Sequence, residues 1–345
     1  MKNHVYYVIA VSFIVAFAAI FSYVGCGGGG SSSGSSASAA GSGIAVDPYI
    51  VGAQFFEDLN DNGVQDAGEQ ISTASDANGI FTFSRPLSTG ATVVLSDTVT
   101  APLHNGVTYT GEIKRKVDAT GTLVCSPLTT LLANGWTEQN IIDALTTAGL
   151  SGLTQADIRA NPMAGINELT IVTDAQLAKI RASTSIYAFM SVMDILITGQ
   201  GYDISYTTFT GNSDAGPALQ KMVDAVNFGI SSTLLARMQN DMSAAPVTMP
   251  AVIVNDVIRA DVAMTNYVIP QVAAAPTTFI PDYVGWADLG YQLGLNFYII
   301  RNKTNPNVIG ALNDPASNPL KDQAIANILT FSTLTVNGSG QIVGQ

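Results

Sequence analysis

The chain has 345 residues, of which 47% are hydrophobic and only 12% charged, and its formal net charge is −12. This apolar share excludes a disordered chain, the length suits about two domains, and the negative charge opposes nucleic acid and favours cations. Two cysteines and two histidines, with no CxxC, CxxCH or HExxH spacing, exclude haem attachment and a multi-ligand zinc or iron–sulfur centre.

Residues 1–25 read as a signal peptide: Lys2 supplies a positive start, an apolar run extends from Val5 to Val24, and small residues lead to Cys26. The run is long enough to span a bilayer, which leaves an uncleaved N-terminal anchor as the alternative. The tetrad "YVGC" resembles the bacterial lipoprotein lipobox, with Tyr23 where Leu is usual. The resemblance implies cleavage before Cys26, acylation of Cys26 and attachment to the lipid bilayer through it. With Gly27 rather than Asp after the cysteine, it also implies an outer-membrane or cell-surface address. Residues 26–43, "CGGGGSSSGSSASAAGSG", form a Gly/Ser linker that buries nothing and reaches roughly 20–25 Å.

Residues 44–125 have the pattern of a β domain. Strand-like pieces occur at Ile50 to Phe56 and Gly79 to Phe83, with a turn signal at "DANG", and again in "TVVLS" and "VTYTGEIKRKV". Between the first two lies "DLNDNGVQDAGE". A twelve-residue calcium loop places oxygen ligands at positions 1, 3, 5 and 9, a backbone carbonyl at 7, a bidentate Glu at 12 and Gly at 6. Asp58, Asn60, Asn62, Asp66, Val64, Glu69 and Gly63 fill those places in that order, so calcium is the expected ion. Asp61 adds negative potential. The flanks read as strands where an EF-hand has helices.

"FFEDLNDNGVQDAGE" followed by "SDANGIFTF" resembles the B-type repeats of bacterial serine-aspartate-repeat adhesins and related prealbumin-like surface domains. The resemblance spans roughly 40 residues and implies a calcium-rigidified β-sandwich acting as stalk or display platform. It carries ligand roles to Asp58, Asn60, Asn62, Val64, Asp66 and Glu69, with Asp76 in the matching turn as a further candidate oxygen. The strand-then-"SPLTTL" succession also resembles exported bacterial proteins in which a small β domain opens into a helical region.

From Ser126 the period becomes helical, with Ser126 as cap and Pro127 in the first turn. Thr137 caps a helix facing inward through Ile141, Ile142, Leu145 and Ala148 and stopped by Gly149; Thr154 and Asp157 repeat the logic. Longer helices are expected over 173–197, 215–242, 251–268 and 283–299, and a hairpin around Asn337-Gly338. The expected fold is α+β and multidomain: an N-terminal prealbumin- or Ig-like β-sandwich followed by an α-helical bundle over 126–345.

Asp194 in an apolar run, the helical methionines, and Cys125 read as structural rather than catalytic, and His104 reads as an exposed loop residue. Trp136 and Trp286, with Tyr283, Tyr291 and Tyr298, read as core, with an aromatic glycan or peptide groove as the alternative. No G-x-S-x-G elbow, S-x-x-K or plausible triad occurs, so no catalytic residue is assigned. The composite expectation is a calcium-stabilised surface lipoprotein with a structural, adhesive or binding role toward an unknown protein or glycan partner. An exported carboxylate-dependent hydrolase and a periplasmic partner or assembly factor are the alternatives.

Overall fold

A computed structural model describes residues 41–47, 49–97, 102–104, 107–118, 123–166, 171–197, 201–240, 249–283, 285–286, 335–336 and 342–343. Cys26, the signal segment, most of the linker, Tyr291 and Tyr298 lie outside them. The strands are β1 (Ser42–Ala45), β2 (Ile50–Val51), β3 (Phe55–Asp58), β4 (Ile80–Thr82), β5 (Thr92–Leu95), β6 (Leu103–His104), β7 (Val107–Thr108), β8 (Lys114–Lys116) and β9 (Leu123–Cys125). The helices are α1 (Pro127–Ala133), α2 (Glu138–Thr147), α3 (Gln155–Arg159), α4 (Asp174–Leu196), α5 (Tyr206–Gly211), α6 (Ala215–Asn240) and α7 (Ala251–Ala274). Short pairs β10 (Ile171–Val172) with β11 (Met249–Pro250), and β12 (Thr335–Val336) with β13 (Ile342–Val343), complete a mixed α/β chain of small sheets and helices.

The first half forms three three-stranded sheets, ordered β4-β1-β9, β2-β6-β7 and β3-β5-β8. β1 pairs antiparallel with β4 and parallel with β9. It begins at Ser42, so the last residues of the Gly/Ser tract belong to a sheet. Gly43 is there for contact: an added Cβ would come within 2.4 Å of the Phe81 ring. Phe81 in turn stacks on Phe55 from the β3-β5-β8 sheet, with centroids 4.3 Å apart. Ala45, Ile50, Phe55, Phe81, Val93, Ile113, Leu123 and Cys125 share one buried cluster, so the residues of different sheets meet in a common interior.

Strand alternation then decides the opposite face of β3-β5-β8. Register pairs Phe56 with Val94 and Lys114, and Asp58 with Thr92 and Lys116. Phe56 and Val94 point away from the cluster holding Phe55 and Val93, yet both are buried. Their cover includes the 58–69 segment, which leaves β3 at Asp58 and rejoins the sheet where Ile71 bridges Phe56.

The helix starts follow their caps. The Ser126 hydroxyl accepts from Thr129 N and the Thr129 hydroxyl accepts from Ser126 N, with Pro127 at the first position, where its missing N–H costs nothing. Thr137 and Thr173 repeat this reciprocal cap with Asn140 and Gln176. Helices α4, α6 and α7 pack mutually, and Trp136, Met190, Met193, Met222 and Trp286 sit in their shared core, so neither tryptophan lines an open groove. Asp194 is exposed. α7 runs to Ala274, beyond the expected end at 268, with Pro270 inside the helix on an exposed position. Tyr187 of α4 belongs to the core of the strands, not to that of the helices.

Candidate metal centre

The 58–69 segment is closed by its own polar side chains. Asp58 is buried, accepting from Asn62 N at 3.2 Å on Oδ1 and from Gly63 N at 2.7 Å on Oδ2. Gly63 takes φ +75°, in the left-handed region that glycine enters without strain, and this reversal aims its N–H at Asp58. Asn60 and Asn62 form successive Asx turns, accepting from Asn62 N at 3.2 Å and Val64 N at 2.8 Å. Both amides donate to Asp66 Oδ2, at 2.8 and 2.9 Å. Glu69 straddles the loop ends, Oε1 accepting from Leu59 N at 2.8 Å and Oε2 from Asp66 N at 2.9 Å.

The side chains of Asp58, Asn60, Asn62, Asp66 and Glu69, together with the backbone N–H groups of 59, 62, 63, 64 and 66, thus form one hydrogen-bonded ring. Every candidate ligand is a hard oxygen, the class that calcium selects. Each carboxylate oxygen that accepts one backbone N–H keeps a further lone pair for an ion. Among the described residues no three Asp, Glu, His or Cys side chains come together as a metal cluster. Here the amides of Asn60 and Asn62 hold Asp66, while backbone N–H groups hold Asp58 and Glu69.

Two acids that read as auxiliary have other partners. Asp61, at φ +60°, turns out of the ring and accepts from Thr92 Oγ1 at 2.6 Å and Lys116 Nζ at 2.7 Å, which ties the loop to β5 and β8. Those two hydrogen bonds hold its carboxyl below the usual range. Asp76 caps its own turn, accepting from Asn78 N and Ile80 N at 2.8 and 2.9 Å. The next turn residue, Gly79, has φ +73°, and an added Cβ there would lie 2.3 Å from the Ala45 carbonyl.

Beside the loop lies a cleft of about 550 Å³. Phe56 and Val94 line it together with Gly63, Val64 and Gln65 of the loop, Asp97 at the end of β5, the 109–112 segment and Tyr202. Glu112 is held by Lys114, which also pairs with Asp203. Burial raises the Glu112 carboxyl above its ordinary range, with Lys114 opposing. No local sequence pattern marks this site, because its walls come from positions 56, 97, 112 and 202.

His104 corrects the reading as an exposed loop residue: it is fully buried on β6. Its Nδ1 lies 3.2 Å from the Asp47 carbonyl and 3.6 Å from Asp47 Oδ2, while Ser183 Oγ donates to Asp47 Oδ1 at 3.3 Å. Although these residue types occur in catalytic triads, the serine contacts the acid and not the imidazole, and all three are shut off from solvent. Cys125 is equally closed, and burial pushes its thiol up to about 12, which makes it inert at neutral pH. Among the described residues no helix is long and apolar enough to cross a membrane. No family model, curated protein or solved structure matches the chain.

Proposed function

We propose that this chain is a calcium-stabilised surface lipoprotein, acylated at Cys26 and spaced by its Gly/Ser linker, with a structural, adhesive or binding role. The observation that carries the reading is the Asp58–Glu69 ring: oxygen ligands at every required position, already gathered by backbone N–H groups on a loop pinned to a sheet. Calcium would be held by Asp58, Asn60, Asn62, Asp66, Glu69 and the Val64 carbonyl. When bound it supplies the positive charge that lets three carboxylates close around one centre. The stacked Phe55–Phe81 pair between two sheets supports the finer reading of a prealbumin-like β-sandwich, and the mutual packing of α4, α6 and α7 that of a helical bundle.

Extracellular calcium modules bind in the millimolar range, where the ion is a constant brace rather than a switch. At about tenfold excess over such a Kd, calcium would raise stability by about 1.4 kcal/mol. Thermal unfolding with calcium and with chelator tests this; an unchanged midpoint removes the metal. Incorporation of labelled fatty acid, lost in Cys26→Ser, tests the anchor. Cleavage of the protein by protease added to intact cells separates surface display from a periplasmic partner or assembly factor.

A further inference from the structure

We infer that the cleft between the 58–69 loop and the 109–112 segment binds a neutral saccharide, with Gln65, Asp97, Glu112 and Tyr202 as its polar contacts. This rests on the binding role proposed above and names the ligand class for it. A cleft of about 550 Å³ is within the range of small-molecule sites. Its floor is apolar, Phe56 and Val94, and its walls mix donors with acceptors: the Tyr202 phenol and the Gln65 amide against the carboxylates of Asp97 and Glu112.

That mixture selects among ligand charges. An anion would meet Asp97 and Glu112 on a chain of net charge −12. A cation would compete with Lys114, whose ammonium already lies 3.1 Å from Glu112. A polyol presents a donor and an acceptor at every hydroxyl, so it can satisfy phenol, amide and carboxylate together.

The test is titration calorimetry of the full calcium-loaded protein with tetrasaccharides of glucose, galactose, mannose and N-acetylglucosamine, and with a uronic-acid tetrasaccharide as the anionic counter-probe. At least one neutral probe is expected to bind with a Kd of about 1 mM or tighter. The anionic probe is expected to bind at least about tenfold more weakly. Asp97→Ala and Tyr202→Ala should each weaken the neutral probe at least about tenfold, with thermal midpoints tracked to separate lost binding from lost folding. Asp143→Ala, in a groove between α2 and α6, should leave it unchanged. No binding by any neutral probe, equal binding of the anionic one, or full binding by folded Asp97→Ala and Tyr202→Ala protein overturns the inference. New reducing ends during the titration would also overturn it, in favour of the hydrolase. Calcium uptake without sugar binding sinks the cleft alone, whereas sugar binding without calcium uptake sinks the metal reading alone.

Discussion

Lys116 Nζ lies 2.7 Å from Asp61 Oδ1, so a strand of the sheet holds the middle of the candidate calcium loop from outside its ligand ring. This division of labour separates two acids that are three residues apart: Asp58 faces the ring and Asp61 faces the sheet. The pair is largely exposed, and such pairs are worth about 0.2–1 kcal/mol. Lys116→Met should therefore cost that much in urea unfolding at pH 7. Because the Asp61 carboxyl is lowered in the folded state, its contribution is complete above the ordinary carboxylate value. It is lost as pH falls through the lower folded value, so the wild-type advantage should shrink progressively as pH is taken below the ordinary carboxylate value of about 3.9. An advantage that stays undiminished there would show that Lys116 acts through packing instead.

Asp58 and Glu69 are both assigned as calcium ligands, but they differ in what else they do. Asp58 is buried and accepts from both Asn62 N and Gly63 N, so Asp58→Ala removes two loop-closing hydrogen bonds to a charged group with or without the ion, at about 1–3 kcal/mol. Glu69 caps the N–H groups of exposed Leu59 and Asp66, which water can satisfy, so Glu69→Ala should cost less than about 1 kcal/mol in chelator. Both substitutions should abolish the calcium-dependent rise in melting temperature. Retention of that rise in Glu69→Ala would remove the bidentate ligand from the proposal.

What was legible in the sequence was local. The Ser126, Thr137 and Thr173 caps act over three residues, and each helix starts where its cap predicts. The turn chemistry of the 58–69 segment was legible for the same reason, since the side-chain hydrogen bonds of Asp58, Asn60, Asn62, Asp66 and Glu69 each close within ten residues of sequence. The role of Asp61 was not, because Thr92 and Lys116 reach it across 31 and 55 residues. Gly43 misled through composition: in a Gly/Ser tract it reads as linker, and only the Phe81 ring against it explains the missing side chain. The cleft was illegible altogether, being assembled from strand ends and Tyr202 that no spacing connects.

A second group outside the reach of local pattern is Asp261 of α7. It is buried, both carboxylate oxygens lack a hydrogen-bond partner, and burial raises its carboxyl well above the usual range despite Arg181. A raised acid holds its proton longer in the folded chain than in the unfolded one, so it erodes stability as pH climbs above about 4. Asp261→Asn keeps the shape and removes the titration. Its stability relative to wild type should rise progressively in urea unfolding as pH climbs above the ordinary carboxylate value of about 3.9. A pH-independent difference would show that Asp261 does not titrate in that range.

His104 was hidden by its neighbours in sequence, since "PLHNG" reads as a solvent turn while the residues that enclose the ring come from elsewhere. Tyr109 and Tyr187 meet it edge-on, with centroids 5.1 and 4.8 Å away, and Tyr187 is carried by α4, 83 residues further along the chain. The imidazole also faces Asp47, whose Oδ2 has no hydrogen-bond partner of its own. Two losses therefore combine in His104→Ala: a cavity between two phenols, and a buried carboxylate deprived of its polar neighbour. Together they should cost about 3–5 kcal/mol. His104→Phe restores the volume but not the polar contact, so the gap between the two variants measures packing and the residue of the Phe variant measures electrostatics. If His104→Phe unfolds at the wild-type denaturant concentration, the Asp47 contact contributes nothing, and the ring serves only to seat the α4 tyrosine against the strands.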